Sequence, residues 1–417
     1  MPPILAYIVS CFLLLGAPAA ESIGGTLREG GAQGDPVAGV VLAVSDASGV
    51  VGTGVSGDDG SWEVPLPGPG TYRVSLDVQS LPEGVALRNP DRTELEGVEV
   101  RAGQRKSVVF PLGERQVETR SWFTRLANLA AKGLTYGSIV ALAAVGLSLI
   151  FGVTGMVNFA HGEVVTFGAV VAWFFSTSAA GPGLHLLWAV PPTLLLAAAL
   201  GAGLERGLFR PLRRRRTGNV ALIVVSIGLS LLVRHIYLIL VGGAPQPYRQ
   251  YAVQTQISLG PVSMPPKALF ITLVSLAVLA AFGLMLRHTR LGIALRAVAD
   301  NKDLAEASGI SVDRVILYTW ALGATLAGLA GIFLGITQTV QWDMGFILLL
   351  TMFAAVILGG IGTAFGAALG GIIIGVATEA STFWLPVEFK VVVALAVLIL
   401  VLMVRPQGIF GVKERVG

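Results

Sequence analysis

A single cysteine, Cys11, excludes an intrachain disulfide and leaves no thiol cluster for zinc. Charge is also scarce. Asp, Glu, Lys and Arg make up 13% of the chain, against about 25% in soluble globular proteins. Together with 54% hydrophobic residues and a mean hydropathy of +0.75, this puts most of the chain in lipid. The net charge of +4 is modest, and no block interleaves basic and aromatic residues, so a nucleic-acid partner is not expected. There is no G-x-x-x-x-G-K-[ST] phosphate loop, so ATP hydrolysis of that kind would belong to a separate subunit. No cofactor is expected, and no metal: His161 has no second His or Cys at ligand spacing.

Residues 1–20 read as a secretory signal, an apolar run from Ile8 to Gly16 followed by Ala17-Pro18-Ala19. The alternatives are an uncleaved anchor and a lipoprotein box at Cys11. Residues 22–114 change character. Short alternating runs such as Thr71-Tyr72-Arg73-Val74-Ser75-Leu76 lie between turn signals at Asp58-Asp59-Gly60, Pro67-Gly68-Pro69-Gly70 and Pro82-Glu83-Gly84. That pattern predicts a small antiparallel β-sandwich, a stalk or docking module outside the cell. Residues 115–132 read as a linker and an interfacial helix, with Trp122, Phe123, Leu126 and Leu129 on one face.

From residue 133 to 412 the pattern is that of a polytopic α-helical membrane protein. Spans are expected near 134–152, 162–178, 187–205, 218–241, 268–286, 314–338, 345–384 and 388–405. The run 345–384 is too long for one crossing and reads as two helices joined at glycines, giving eight or nine crossings. Basic residues concentrate in the 206–217 and 287–314 loops and near Arg405, Lys413 and Arg415, which places these segments and the C-terminus in the cytoplasm. Arg115, Arg120, Arg125 and Lys132 flank the first span on the expected outer side and argue the other way. The span interiors read as nearly free of paired ionisable groups.

Three segments carry mechanism. The first span stops near Gly152 and Gly155, and Asn158, His161 and Glu163 follow within six residues. These polar groups contact solute, gate or couple, or cap a helix whose N-terminus favours Glu163. The loop Leu286–Val315 is helical and amphipathic, a rigid surface element for a soluble partner. Gly359, Gly360 and Gly362 open a glycine series that serves either close packing or a broken helix beside a path. Glu379 is a further polar candidate near the end of an apolar run.

The runs GLTYGSIVALAAVGLSLIFGVTGMVNFAHGE, TRLGIALRAVADNKDLAEASGISVDRVI and AAVILGGIGTAFGAALGG closely resemble permease subunits of branched-chain amino acid ABC importers, over about residues 122–412. The N-terminal segment resembles carboxypeptidase-regulatory-like sandwiches. The permease resemblance implies a multi-pass plasma-membrane protein in contact with lipid. Its implied partners are cytoplasmic ATP-binding subunits, a second related permease and an extracellular solute-binding protein. Arg296, Asp303, Ala305, Gly309 and Ile310 match the family's coupling segment, while Leu304 departs from the general importer motif. Asn158, His161, Glu163, Gly359, Gly360 and Gly362 fall where the path or its gate is expected. The pore is expected to discriminate poorly, leaving recognition to the binding protein. Permeases for urea or short amides are an alternative reading. A receptor with a sensing sandwich and a lone secondary transporter are alternatives of other classes.

Overall fold

The computed structural model describes residues 21–29, 34–46, 48–82, 84–87, 93–100, 104–113, 121–178, 180–251, 254–405 and 407–411. The signal-like segment with Cys11, most of the linker with Arg115 and Arg120, and Lys413 and Arg415 lie outside these residues. The chain forms two compact units, Met1–Thr119 and Arg120–Gly417.

The first unit is all-β. Strands β1 (Ser22–Thr26), β4 (Ser61–Pro65) and β7 (Arg105–Ser107) form one sheet in the order β4-β1-β7. Strands β2 (Val41–Asp46), β3 (Gly49–Val55), β5 (Gly70–Leu76) and β6 (Glu94–Val100) form another, in the order β3-β2-β5-β6. Alternation decides which face turns inward. In β4, Trp62 and Val64 are buried while Ser61, Glu63 and Pro65 face out. They join Ile23, Leu42, Val44, Tyr72 and Val74 in one apolar core. At the turn before β4, Asp59 Oδ1 accepts the Ser61 hydroxyl and amide, at 2.6 and 2.9 Å. Those bonds hold the Asp59 carboxyl below the usual range.

The second unit is helical. In chain order its helices are α1 (Trp122–Thr154), α2 (His161–Ser176), α3 (Leu186–Leu204), α4 (Asn219–Val241), α5 (Pro266–His288), α6 (Arg290–Asp300), α7 (Lys302–Ala307), α8 (Val312–Thr337), α9 (Met344–Gly359), α10 (Ala364–Ser381) and α11 (Lys390–Val404). A π turn (Glu205–Phe209) and a short helix (Arg210–Arg214) continue α3. Among the described residues, seven helices are long and apolar enough to cross a membrane. The long run 345–384 is two helices, α9 and α10, joined at residues 360–363.

Helix α1 differs from expectation at both ends. It begins at Trp122, so the residues read as a separate interfacial helix are its first turns. At 33 residues it is about 50 Å long, against a hydrocarbon layer of about 30 Å. Asn128, in the excess length, accepts the Ser263 amide at 2.6 Å and donates to the Pro261 carbonyl at 3.2 Å, beside the hairpin β8–β9 (Ile257–Leu259, Val262–Met264). At the other end the helix runs through Gly152 and stops at Gly155, which turns to φ 71°.

Helices α1 and α8 are central and mostly buried, whereas α4, α5 and α11 bury under a third of their length. Around this pair the chain repeats a device. Helix α1, the connector 155–160 and α2 have their counterpart in α8, the connector 338–343 and α9. Both connectors have equal length, and both following helices have 16 residues. The sequences echo each other: Val157-Asn158-Phe159 stands where Val340-Gln341-Trp342 stands, and Gly162 where Gly345 stands.

Candidate functional site

Helices of 16 residues reach about 24 Å, too short to cross alone. Helices α2 and α9 instead start against each other. A Cβ on Gly162 would fall 2.6 Å from the Gly345 carbonyl oxygen, and one on Gly345 would fall on Gly162 in turn. Only glycine on both sides permits this approach. The Gly345 amide, in the first turn of α9, donates to Thr166 Oγ1 of α2 at 3.1 Å.

Asn158, His161 and Glu163 all sit at this junction and are buried. Asn158 Oδ1 accepts the Ala160 amide at 3.0 Å, and His161 Nε2 lies 3.2 Å from the Ala143 carbonyl oxygen. Glu163 Oε1 accepts the Ser230 hydroxyl at 2.9 Å. Asn158 thus shapes the turn before α2, whose N-cap Ala160 receives no side-chain cap. Yet Asn158 Nδ2, His161 Nδ1 and Glu163 Oε2 have no hydrogen-bond partner among the described residues. Buried polar atoms are rarely left so, and three on one short stretch mark a place where the chain does not close its own hydrogen bonds.

Sequence reasoning missed what holds this stretch in place. Helix α4 supplies Ser226, Ser230 and Tyr237, a polar stripe at helical spacing. Ser226 Oγ accepts the Phe159 amide at 3.1 Å, and the Tyr237 hydroxyl donates to the Glu163 carbonyl at 3.0 Å. The spans are expected to be nearly free of paired ionisable groups, and α4 adds a cation with no ion-pair partner among the described residues. Arg234 stands within this helix, its guanidinium 4.1 Å from the Phe346 ring centroid and 6.0 Å from that of Trp342. The apolar run on either side, Leu231 to Leu240, masked it.

The other sequence candidates gather at the Arg-rich end. Thr289 caps α6 through the Gly292 amide, at 3.1 Å, and Asn301 caps α7 through the Leu304 amide, at 2.9 Å. Arg296 lies on α6 and Asp303 in the first turn of α7. Ala305 is buried, and its carbonyl accepts the Ile310 amide at 3.0 Å across Gly309, which has φ 86°. Lys302 Nζ donates to the Thr154 carbonyl at the end of α1, at 3.3 Å. Burial there lowers the Lys302 ammonium below its usual range, the Arg213 charge adds to this, and Asp303 partly offsets it. Leu304, the departure from the motif, is 66% exposed and projects an apolar side chain from α7.

The glycine bend lies against the same elements. Gly359 packs on Gly366 across the bend, and Gly360 and Gly362 take φ 107° and 82°. Residues 409 and 410 return to hydrogen-bond Leu358 and Gly359. A cavity of about 390 Å³ separates the bend from α6, lined by Gly362, Thr363, Arg287, Arg296, Asp300 and the α1 residue Gly152. The structure thus joins Arg296 to the bend, and Asn158, His161 and Glu163 to the α2–α9 junction, in two places. Glu379 is elsewhere, paired with Lys390.

A family model described as the permease component of branched-chain amino acid transport systems matches residues 129–402. The chain belongs to this permease family. The high-affinity branched-chain amino acid transport system permease protein LivH of Salmonella typhimurium is 34% identical over 294 residues, covering 68% of this chain and 94% of LivH. BraD of Pseudomonas aeruginosa, with the same description, is 34% identical over 298 residues, with the same coverage. A probable LivH of Methanocaldococcus jannaschii is 30% identical over 298 residues, covering 67% and 90%. No solved structure matches the chain. As a permease of an ATP-binding-cassette importer it is a multi-pass membrane subunit without catalytic activity, and ATP is hydrolysed by a separate subunit. The all-β unit precedes the matched region.

Proposed function

We propose that this chain forms the gated path of an importer for branched-chain or related apolar amino acids. A second related permease stands beside it, cytoplasmic ATP-binding subunits drive it, and an extracellular binding protein delivers the solute. The substrate class rests on the named specificity of LivH and BraD. The mechanism rests on one observation above all: Arg296 of α6 and the Gly362 bend line one cavity. A push on α6 and α7 from the ATPase reaches the bend through this wall, and reaches the end of α1 through Lys302. Leu304 and Ile293 are exposed apolar side chains on these two helices and supply the contact. In this reading the Arg-rich loops and the C-terminus are cytoplasmic, residues 1–20 are a signal or anchor, and residues 22–114 form an extracellular sandwich.

The test is uptake by the complete importer in proteoliposomes. ATP-driven entry of leucine, isoleucine or valine is the expected result. Entry of urea or acetamide in their place replaces the substrate class. Leu304→Glu is expected to abolish stimulated ATP hydrolysis and uptake while the permease remains folded in the membrane. Unchanged stimulation removes α7 from the coupling path. Orientation is checked with cysteines at Ser61 and Ser308, where an impermeant thiol reagent on intact cells should label only the first.

A further inference from the structure

We propose that Arg234 is the carboxylate-reading residue of the solute path, with Glu163 and Asp343 facing the α-ammonium and the rings of Trp342 and Phe346 facing the side chain. This rests on the amino-acid reading above and deepens it.

Arg234 stands seven residues before the end of α4 at Val241, about 10 Å along the axis. A guanidinium inside a span is costly, and such groups face a partner, a cavity or a path. Among the described residues no carboxylate lies within ion-pair distance of it, and its Nε is buried without a hydrogen-bond partner. Its Cζ lies over the Phe346 ring, 4.1 Å from the centroid. A guanidinium held by a ring and short of hydrogen-bond partners keeps N–H groups available for a bidentate carboxylate.

The surroundings carry the opposite sign. Ser230, one turn before Arg234 on α4, donates to Glu163 Oε1 at 2.9 Å, and Asp343 follows Trp342, whose ring centroid lies 6.0 Å from the guanidinium. Glu163 keeps one oxygen unpartnered, and Asp343, the N-cap of α9, makes no side-chain capping bond. One fixed cation, two carboxylates and two aromatic rings complement an apolar zwitterion. A neutral amide needs neither charge. Arg234 is half-buried on a helix whose apolar flank of Leu231, Leu232 and Ile236 is not covered by this chain.

The experiment uses the complete importer in proteoliposomes and reads leucine uptake per ATP hydrolysed. Arg234→Gln is expected to lower this ratio about tenfold or more, the weight of one charge-assisted hydrogen bond, while ATP hydrolysis stimulated by loaded binding protein stays within about twofold. Arg234→Lys keeps the charge without the fork and is expected to recover part of the ratio. A Gln variant with a ratio within about twofold of wild type overturns the proposal. So does an equal loss of uptake and stimulated hydrolysis in both variants, which assigns Arg234 to the fold. If Gln does not assemble, Lys decides: a lowered ratio supports the site, and a wild-type ratio, or failure to assemble, overturns it. A wild-type importer that moves no amino acid defeats the substrate reading instead.

Discussion

At the Arg-rich end, Glu205 is fully buried against Arg213, and Asp313 is shared by Arg210 and Arg214. At the α2–α9 junction, Asn158, His161 and Glu163 are buried as deeply, yet each keeps a polar atom without a partner. The two regions lie in one unit and solve the cost of polarity differently. Where acid and base are matched, the chain fixes its own shape and breaking the match exposes a bare charge. Where groups are left open, the chain gives up stability for something other than shape, and motion or solute contact is the natural return.

Mutations sharpen that contrast. Glu205→Ala leaves the half-buried Arg213 uncompensated, and is expected to destabilise the permease by about 3 kcal/mol, read as a fall in the melting temperature of the detergent-solubilised protein. A melting temperature near wild type would show that the pair is ornamental and the comparison false. Gly162→Val places a side chain against the Gly345 backbone and should cost about 1–3 kcal/mol in the same assay, with uptake lost. Asn158→Ala frees the Ala160 amide and should cost about 1 kcal/mol. The smallest shift is expected for Glu163→Gln. The bond to Ser230 survives, the buried charge disappears, and the melting temperature stays level or rises while uptake per ATP falls. A large loss of stability in that last variant would make Glu163 a structural group like Glu205.

Much of this was legible in the sequence, for physical reasons that also explain the gaps. Apolar runs of membrane length declare themselves, so the helices of the second unit stood near their expected places. The division of 345–384 at its glycines was readable because no single crossing is that long. The polar cluster at Asn158–Glu163 was readable because charge is conspicuous between two apolar spans. Arg234 was equally visible, but a single cation in a run of leucine and isoleucine leaves average hydropathy almost unchanged. Ser226, Ser230 and Tyr237 carried the missing clue, a helical period within an apolar run. Glu205 closes the expected span 187–205 and drew no reading of its own, since its burial comes from the π turn and from the helix it packs on. The matching of α1–α2 with α8–α9 rests on equal lengths more than on shared residues, and lengths become exact only once helix ends are seen.

The two short helices also bear on the membrane as an electrical insulator. A bilayer holds its voltage across about 30 Å of hydrocarbon, and each unit charge that crosses gains or loses about 2.3 kcal/mol per 100 mV. Where α2 and α9 begin against each other, that layer is protein, and part of it is connector. Phe159, whose ring packs 5.1 Å from Phe353, and Trp342, beside His235, stand on those two connectors. These rings are the local dielectric. In the proposed path a dipolar solute must pass without leaving a conducting wire, and two rings on separate connectors offer two places at which that seal can be held.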